Sequence, residues 1–140
     1  MANEQYAFLN KDKVPSRDAW QASIDECGFD FQLDPALKPF EDSGFLPCKL
    51  GGRDAGFEIV YDGSPELLKE FGDLVQGRDY CISFRWGGSM IECASVMIAS
   101  YSLAKSFGAI VSYEGEDPVG DLGDFLEETR ACVKDATKDA

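Results

Sequence analysis

Apolar and polar residues alternate along several short segments of the chain, and this pattern predicts β-strands. Residues 29–33 and 55–61 show this alternation, and short apolar stretches at 5–10, 45–50, 80–86 and 109–113 complete the predicted strands. The segment 80–86 contains few charges, which favours a central place in a sheet. Gly51 and Gly52 join two of the strands as a hairpin. Pro47 cannot donate a ladder hydrogen bond, so the first hairpin strand should be an edge or be bulged there.

Helical spacing of apolar residues, together with capping signals, predicts four helices. Their starts are placed at Ser16, Ser64 and Ser89 and after the acidic loop 114–121, and the first three end at Gly28, Gly77 and Gly108. Ser89 followed by Glu92 fits a capping box. The helix that it opens is apolar nearly all round, which is typical of a helix at the packed centre of a fold.

The resulting order of elements is β α β β β α β α β α over 140 residues. The hairpin favours a mixed or mainly antiparallel sheet, with about four helices packed on it and one of them central and buried. We therefore predict a single α+β domain over residues 1–140. The apolar content, 44%, is sufficient for one core without metal or disulfide cross-links.

Charge narrows the possible partners. The chain contains 26 acidic and 13 basic residues and no histidine, a net charge of −13. Nucleic-acid binders show the opposite charge, and anionic lipid would also repel this surface, so we expect neither nucleic-acid nor membrane binding. A basic protein, by contrast, would be attracted over a long range. The alternative is that the acidic charge serves only solubility.

The residue types also restrict the chemistry. Without histidine there is no Ser-His or Cys-His dyad and no imidazole ligand, so we expect neither an enzyme nor a metal site, and no cofactor is indicated.

The five cysteines are odd in number, show no CxxC spacing and favour a reducing, cytoplasmic location. Cys81 and Cys93 fit small core residues. Cys48 is either a reactive thiol beside Lys49 or an inward-facing strand residue.

Two segments are candidate sites. Residues 109–140 contain nine acids and three bases, and the acidic loop with the start of the last helix is the predicted surface for a basic partner. The residues proposed for it are Glu114, Glu116, Asp117, Asp121 and Asp124. The strand-to-helix turn of Arg85, Gly87, Gly88 and Ser89 is a possible anion site, since helix N-termini hold anions. A solvated loop and a tight connection are the respective alternatives.

Three segments together, Ser43–Cys48 (SGFLPC), Ala55–Glu58 (AGFE) and Ser83–Gly88 (SFRWGG), resemble a family of small uncharacterised bacterial cytosolic proteins. In size, acidity and lack of catalytic residues, the chain is also similar in type to the immunity proteins of contact-dependent inhibition and polymorphic-toxin systems. That likeness implies an intracellular protein that occludes a basic toxin domain. The alternatives are a small-ligand binder or enzyme using the Arg85–Ser89 turn, and a homo-oligomeric accessory protein.

Overall fold

A computed structural model describes residues 3–116 and 118–138 and confirms the α+β class. The strands are β1 (Asn3–Leu9), β2 (Phe31–Leu33), β3 (Ser43–Leu50), β4 (Arg53–Asp62), β5 (Tyr80–Trp86) and β6 (Ile110–Tyr113). The helices are α1 (Arg17–Glu26), α2 (Pro65–Phe71), α3 (Met90–Phe107) and α4 (Leu122–Thr137), with 3-10 turns at Lys11–Lys13 and Gly72–Val75. The order of strands and helices along the chain is as predicted.

The six strands form one sheet in the order β2-β3-β4-β5-β1-β6, and every neighbouring pair is antiparallel. The predicted central place of β5, between β4 and β1, is confirmed. The short β2 pairs with β3 only as far as Leu33 opposite Cys48. From Pro47 back to Ser43, β3 is therefore an edge, which is where a residue without an N–H is tolerated.

One face of the sheet is covered by α1, α3 and α4 and contains the main core. Alternation along each strand sends one set of side chains to this face, as with Ala7 and Leu9 of β1 and Ile82 and Phe84 of β5. Helix α3 lies at its centre between α1 and α4, as predicted from its apolar surface. The Trp20 indole N–H of α1 fixes this packing by donating to Ser102 Oγ, 2.9 Å away.

The buried serines of α3 do not leave unsatisfied hydroxyls in this core. Ser95 donates to the Ile91 carbonyl at 2.7 Å, and Ser100 donates to the Val96 carbonyl at 2.7 Å. Such bonds to the preceding turn let a serine be buried without a partner on another element. Small side chains here also allow neighbouring helices to approach α3 closely.

The other face of the sheet is only partly covered. Helix α2 and the following 3-10 turn shield a second, smaller cluster built on Phe8, Val75 and Cys81. Over β3 and β4 no helix lies on this face within the described residues. Phe45 and Val60 are 65% and 41% exposed there.

Two details of the predicted helices are wrong. The helix expected to run from Ser64 to Gly77 ends at Phe71, because Gly72 takes a positive φ of 54° and a 3-10 turn follows. The capping box at Ser89 is not formed: the Ser89 side chain is exposed and makes no cap hydrogen bond. In the part of the chain that is described, no helix is both long and apolar enough to cross a membrane.

Candidate functional site

A cavity of about 410 Å³ opens where one end of the sheet meets α3 and α4; we call it the Trp86 cavity. Its apolar lining consists of Trp86, Met90, Met97, Tyr113, Val119 and Phe125. Its polar lining includes Asn3, Gln5, Gly87, Gly88, Ser89, Cys93 and Glu128. The volume and the mainly apolar lining with few polar groups are typical of binding sites.

Strand alternation places Trp86 in this cavity and excludes Arg85 from it. Trp86 continues the inward-facing set of β5, whereas Arg85 points to the opposite face of the sheet. There its Nε lies 3.8 Å from Glu4 Oε1, and in the sheet it is paired with Glu58. The predicted anion-site residues are therefore divided: Gly87, Gly88 and Ser89 line the cavity, and the only cation among them lies elsewhere.

Hydrogen bonds hold the strand ends around the cavity. Asn3 Nδ2 donates to the Gly87 carbonyl at 3.1 Å, and the Tyr113 hydroxyl donates to Asn3 Oδ1 at 2.9 Å. These bonds connect β1, the glycine turn and β6. At the floor, Gln5 is 4% exposed and donates through Nε2 to Ser100 Oγ at 2.6 Å. The cavity therefore has a fixed polar group at its base.

The acidic loop adjoins this cavity: its residue Val119 and the preceding Tyr113 belong to the lining, whereas Glu114, Glu116, Asp121 and Asp124 do not. Glu114, Glu116, Asp121 and Asp124 are all exposed, and Glu128 of α4 lines the cavity itself. We call these five carboxylates the acidic rim. Asp117, also predicted for this surface, lies outside the described residues.

Asp121 has a structural role as well as an exposed position. Its carboxylate accepts the N–H groups of Gly123 at 2.6 Å and Asp124 at 3.3 Å, and so caps α4. The other rim carboxylates have no such role. Among residues 3–116 and 118–138, the acids within 4 Å of a lysine or arginine nitrogen are Asp18, Asp54 and Glu4, and none of them belongs to the rim.

Cys93, which lines the cavity, is paired with a second cysteine that the sequence did not indicate. Cys132 of α4 donates a hydrogen bond to Cys93 of α3 across 3.9 Å between the sulfur atoms. This bond, with a smaller contribution from the Trp86 side chain, lowers the pKa of Cys93 to about 7 although burial opposes it. The same bond raises the pKa of Cys132. The two residues are far apart in sequence, so no spacing motif could have revealed them.

Cys48 is the inward-facing strand residue of the two predicted alternatives. Only 5% of it is exposed, and burial raises the pKa of its thiol to about 12. Lys49 is its neighbour in sequence but projects from the other side of β3. In the described residues, no group of three or more Cys, Asp or Glu side chains is arranged to hold a metal ion.

Alternation could have located part of this site. Gln5 lies an even number of positions from Ala7 and Leu9 in β1, so its side chain points to the same face of the sheet. It is therefore a polar residue on the core face. The same alternation assigns the side chains of Trp86 and Arg85 to opposite faces of the sheet. The contribution of Glu128 could not be located in this way, because it depends on how α4 packs against α3.

Known proteins do not assign a role to the cavity. No protein-family model matches the chain, and no curated protein or solved structure matches it. The function must therefore be inferred from the shape and chemistry of the site.

Proposed function

We propose that the protein binds a basic partner protein through the Trp86 cavity and its acidic rim, in the manner of an immunity protein that occludes a toxin domain. The observation that supports this most is a mainly apolar cavity, lined by Glu128, beside a loop and helix start whose carboxylates have no lysine or arginine nitrogen within 4 Å among the described residues. Such a site suits an apolar anchor flanked by lysine or arginine. The glycine turn and Val119 of the acidic loop both line this cavity.

The apolar and charged parts of the site would contribute differently to binding. Burying one Leu, Met or Phe anchor in the cavity is worth about 1.5–3 kcal/mol. The acidic rim, with the net charge of −13, would mainly accelerate association with a basic partner and select against acidic ones. Affinity would therefore depend on both parts, because burial in the cavity slows dissociation and the rim charges accelerate association.

Neutralisation would be steric. A folded domain seated over the active site of a toxin excludes substrate without any chemistry of its own, which is consistent with the absence of histidine. All five cysteines are free thiols, as expected for a protein that works in a reducing compartment such as the cytoplasm.

The test is capture of partners from a lysate of the native host with tagged protein and two matched variants. The first, Glu114→Gln Glu116→Gln Glu128→Gln, removes three rim charges. The control, Glu26→Gln Glu66→Gln Glu70→Gln, removes three exposed charges on α1 and α2 and changes the net charge equally. We expect a basic protein to be retained by the wild type and by the control variant and to be lost from the rim variant. Equal retention by both variants would contradict the proposal.

A second pair of variants tests the apolar part of the site. Met90 is 48% exposed at the cavity and Phe45 is 65% exposed on the other face of the sheet, so serine at either position should leave the fold intact. Met90→Ser should weaken capture of the same partner, and Phe45→Ser should not. If the captured protein is a toxin, co-expression of the wild type, but not of the rim variant, should restore growth.

One observation favours a second candidate, a homo-oligomeric accessory protein. Phe45 and Val60 are exposed apolar residues on the uncovered face of β3 and β4, and β3 has a free edge from Ser43 to Pro47. Light scattering would show a dimer in the wild type and a monomer in Phe45→Ser if this face joined two copies. The anion-site alternative has no comparable support, because Arg85 lies away from the glycine turn.

A further inference from the structure

Cys93 and Cys132 lie side by side on two antiparallel helices. The sulfur atoms are 3.9 Å apart near one end of the α3–α4 contact, and the rings of Tyr101 and Phe125 meet at 5.4 Å near the other. A disulfide bond is about 2.05 Å long, so the sulfurs need to approach by only about 2 Å. Side-chain rotation can provide much of this movement.

The two thiols differ in a way that suits exchange chemistry. Cys93 lines the Trp86 cavity, so a small molecule can reach its sulfur. The Cys132 S–H donates to it, and together with the Trp86 side chain this lowers the pKa of Cys93 to about 7, while Cys132 keeps its proton. Glu128 lines the cavity and Asp135 is a charged neighbour of Cys132, so both carboxylates on α4 disfavour anionic reagents.

We propose that Cys93 and Cys132 form a dithiol–disulfide couple that exchanges with small neutral or cationic disulfides entering the Trp86 cavity. The Cys93 thiolate attacks one sulfur of the disulfide RSSR, so that a Cys93–SR bond forms and RS⁻ leaves. Cys132 then loses its proton and attacks Cys93 Sγ, which forms the Cys93–Cys132 bond and releases the second RS⁻. The two thiols are oxidised, RSSR is reduced to two RSH, and both protons end on the released thiols.

The expected reactivity follows from the thiolate fraction. At neutral pH a thiol with a pKa of about 7 is half ionised, about fifty times more than one at the usual value of 9.0. The intrinsic nucleophilicity of a thiolate falls with its pKa, and this reduces the advantage by a factor of about six to ten. We therefore expect Cys93 to be alkylated at least about fivefold faster than an ordinary thiol. Cys27 is the internal control, because it is also only partly buried and burial raises its pKa.

The experiment treats the reduced full-length protein with 2-hydroxyethyl disulfide, a neutral reagent, and maps every cysteine by mass spectrometry. The wild type should lose two hydrogens and show a Cys93–Cys132 link. Cys132→Ser should stop with the reagent attached to Cys93, and Cys93→Ser should leave Cys132 unmodified. Alkylation of the wild type with iodoacetamide at neutral pH, mapped in the same way, should label Cys93 first.

Two results would overturn this proposal. One is a mixed disulfide that persists on Cys93 in the wild type without a link to Cys132. The other is iodoacetamide labelling of Cys93 no faster than of Cys27. Both are read in the unmutated protein, so they do not depend on how well a variant folds, and neither depends on the existence of a protein partner.

Discussion

Arg85 and Trp86 are consecutive residues of β5, and their side chains lie on opposite faces of the sheet. Trp86 is 7% exposed and lines the cavity beneath α3 and α4, whereas Arg85 is exposed on the face that α2 only partly covers. The cavity is consequently left without a nearby cation from this strand. That absence is one reason why we propose a basic partner and not an anion for this site.

Arg85 should be dispensable for both stability and partner binding. Its closest ion pair, with Glu4, joins side chains that are 57% and 42% exposed, and such pairs contribute about 0–1 kcal/mol. We expect Arg85→Ala to change the free energy of unfolding by less than about 1 kcal/mol and to retain the captured partner. Urea denaturation and the capture assay measure the two effects. A clear loss of capture would place Arg85 in the binding surface.

Ser16 and Ser89 precede helices in similar ways but should respond differently to substitution. Ser16 Oγ accepts the Ala19 N–H at 3.1 Å, and the Ser89 hydroxyl makes no cap bond. Ser16→Ala should therefore lower the free energy of unfolding by about 1 kcal/mol, and Ser89→Ala should have an effect of only a few tenths. Urea denaturation of the two variants side by side provides the check. Equal losses would mean that Ser89 does cap α3.

Gly63 makes room for a buried ring. A Cβ at Gly63 would lie 2.7 Å from Tyr80 Cδ1, and Tyr80 is 7% exposed and cannot move aside freely. Gly63→Ala should lower the free energy of unfolding by about 1–3 kcal/mol, as overpacking generally does. Gly120→Ala is the control, because nothing lies within 4 Å of its Cβ position. Thermal unfolding should show a lower Tm for the first variant only, and a similar Tm for both would contradict the packing described.

Alkaline pH should destabilise the protein through its buried thiols. Burial raises the pKa of Cys48 and Cys81 to about 12 from the usual 9.0. Their contribution to stability is complete below pH 9.0 and is lost as pH rises towards about 12, because the unfolded chain releases these protons first. Each thiol contributes a slope of up to about 1.4 kcal/mol per pH unit in that window.

Urea denaturation between about pH 8 and pH 11 would measure this decline. Replacing Cys48 by alanine should make the decline with pH shallower, whatever that substitution costs at neutral pH. A free energy of unfolding that stays constant across the window would show that these thiols ionise normally in the folded protein.

Much of the fold was predictable because its signals are local. Local sequence patterns predicted all six strands, the hairpin at Gly51 and Gly52 was confirmed, and the apolar surface of α3 correctly placed it at the centre. The errors arose where a local signal competes with tertiary packing. Helix α2 ends early at Gly72, and the following 3-10 turn places Val75 in the smaller cluster with Phe8 and Cys81. The helical periodicity of the sequence does not indicate this early end.

The candidate site was only half predictable. The sequence indicated the acidic loop and the glycine turn as separate features, and the structure places the glycine turn and Val119 of that loop in the lining of one cavity. The cavity itself depends on long-range packing between α3, α4 and the end of the sheet. Cys93 illustrates this, because its helix pattern marks it as a core residue and only the approach of Cys132 distinguishes it.

The most direct test of the proposed function is the salt dependence of the association rate between this protein and the captured basic partner. Stopped-flow or surface measurements at roughly 0.05 and 0.5 M salt would compare the wild type with the rim and control variants. We predict a steep fall in the wild-type rate at high salt, a shallower fall for the rim variant and a fall close to wild type for the control. A wild-type rate that does not change with salt would contradict charge-steered binding at the acidic rim.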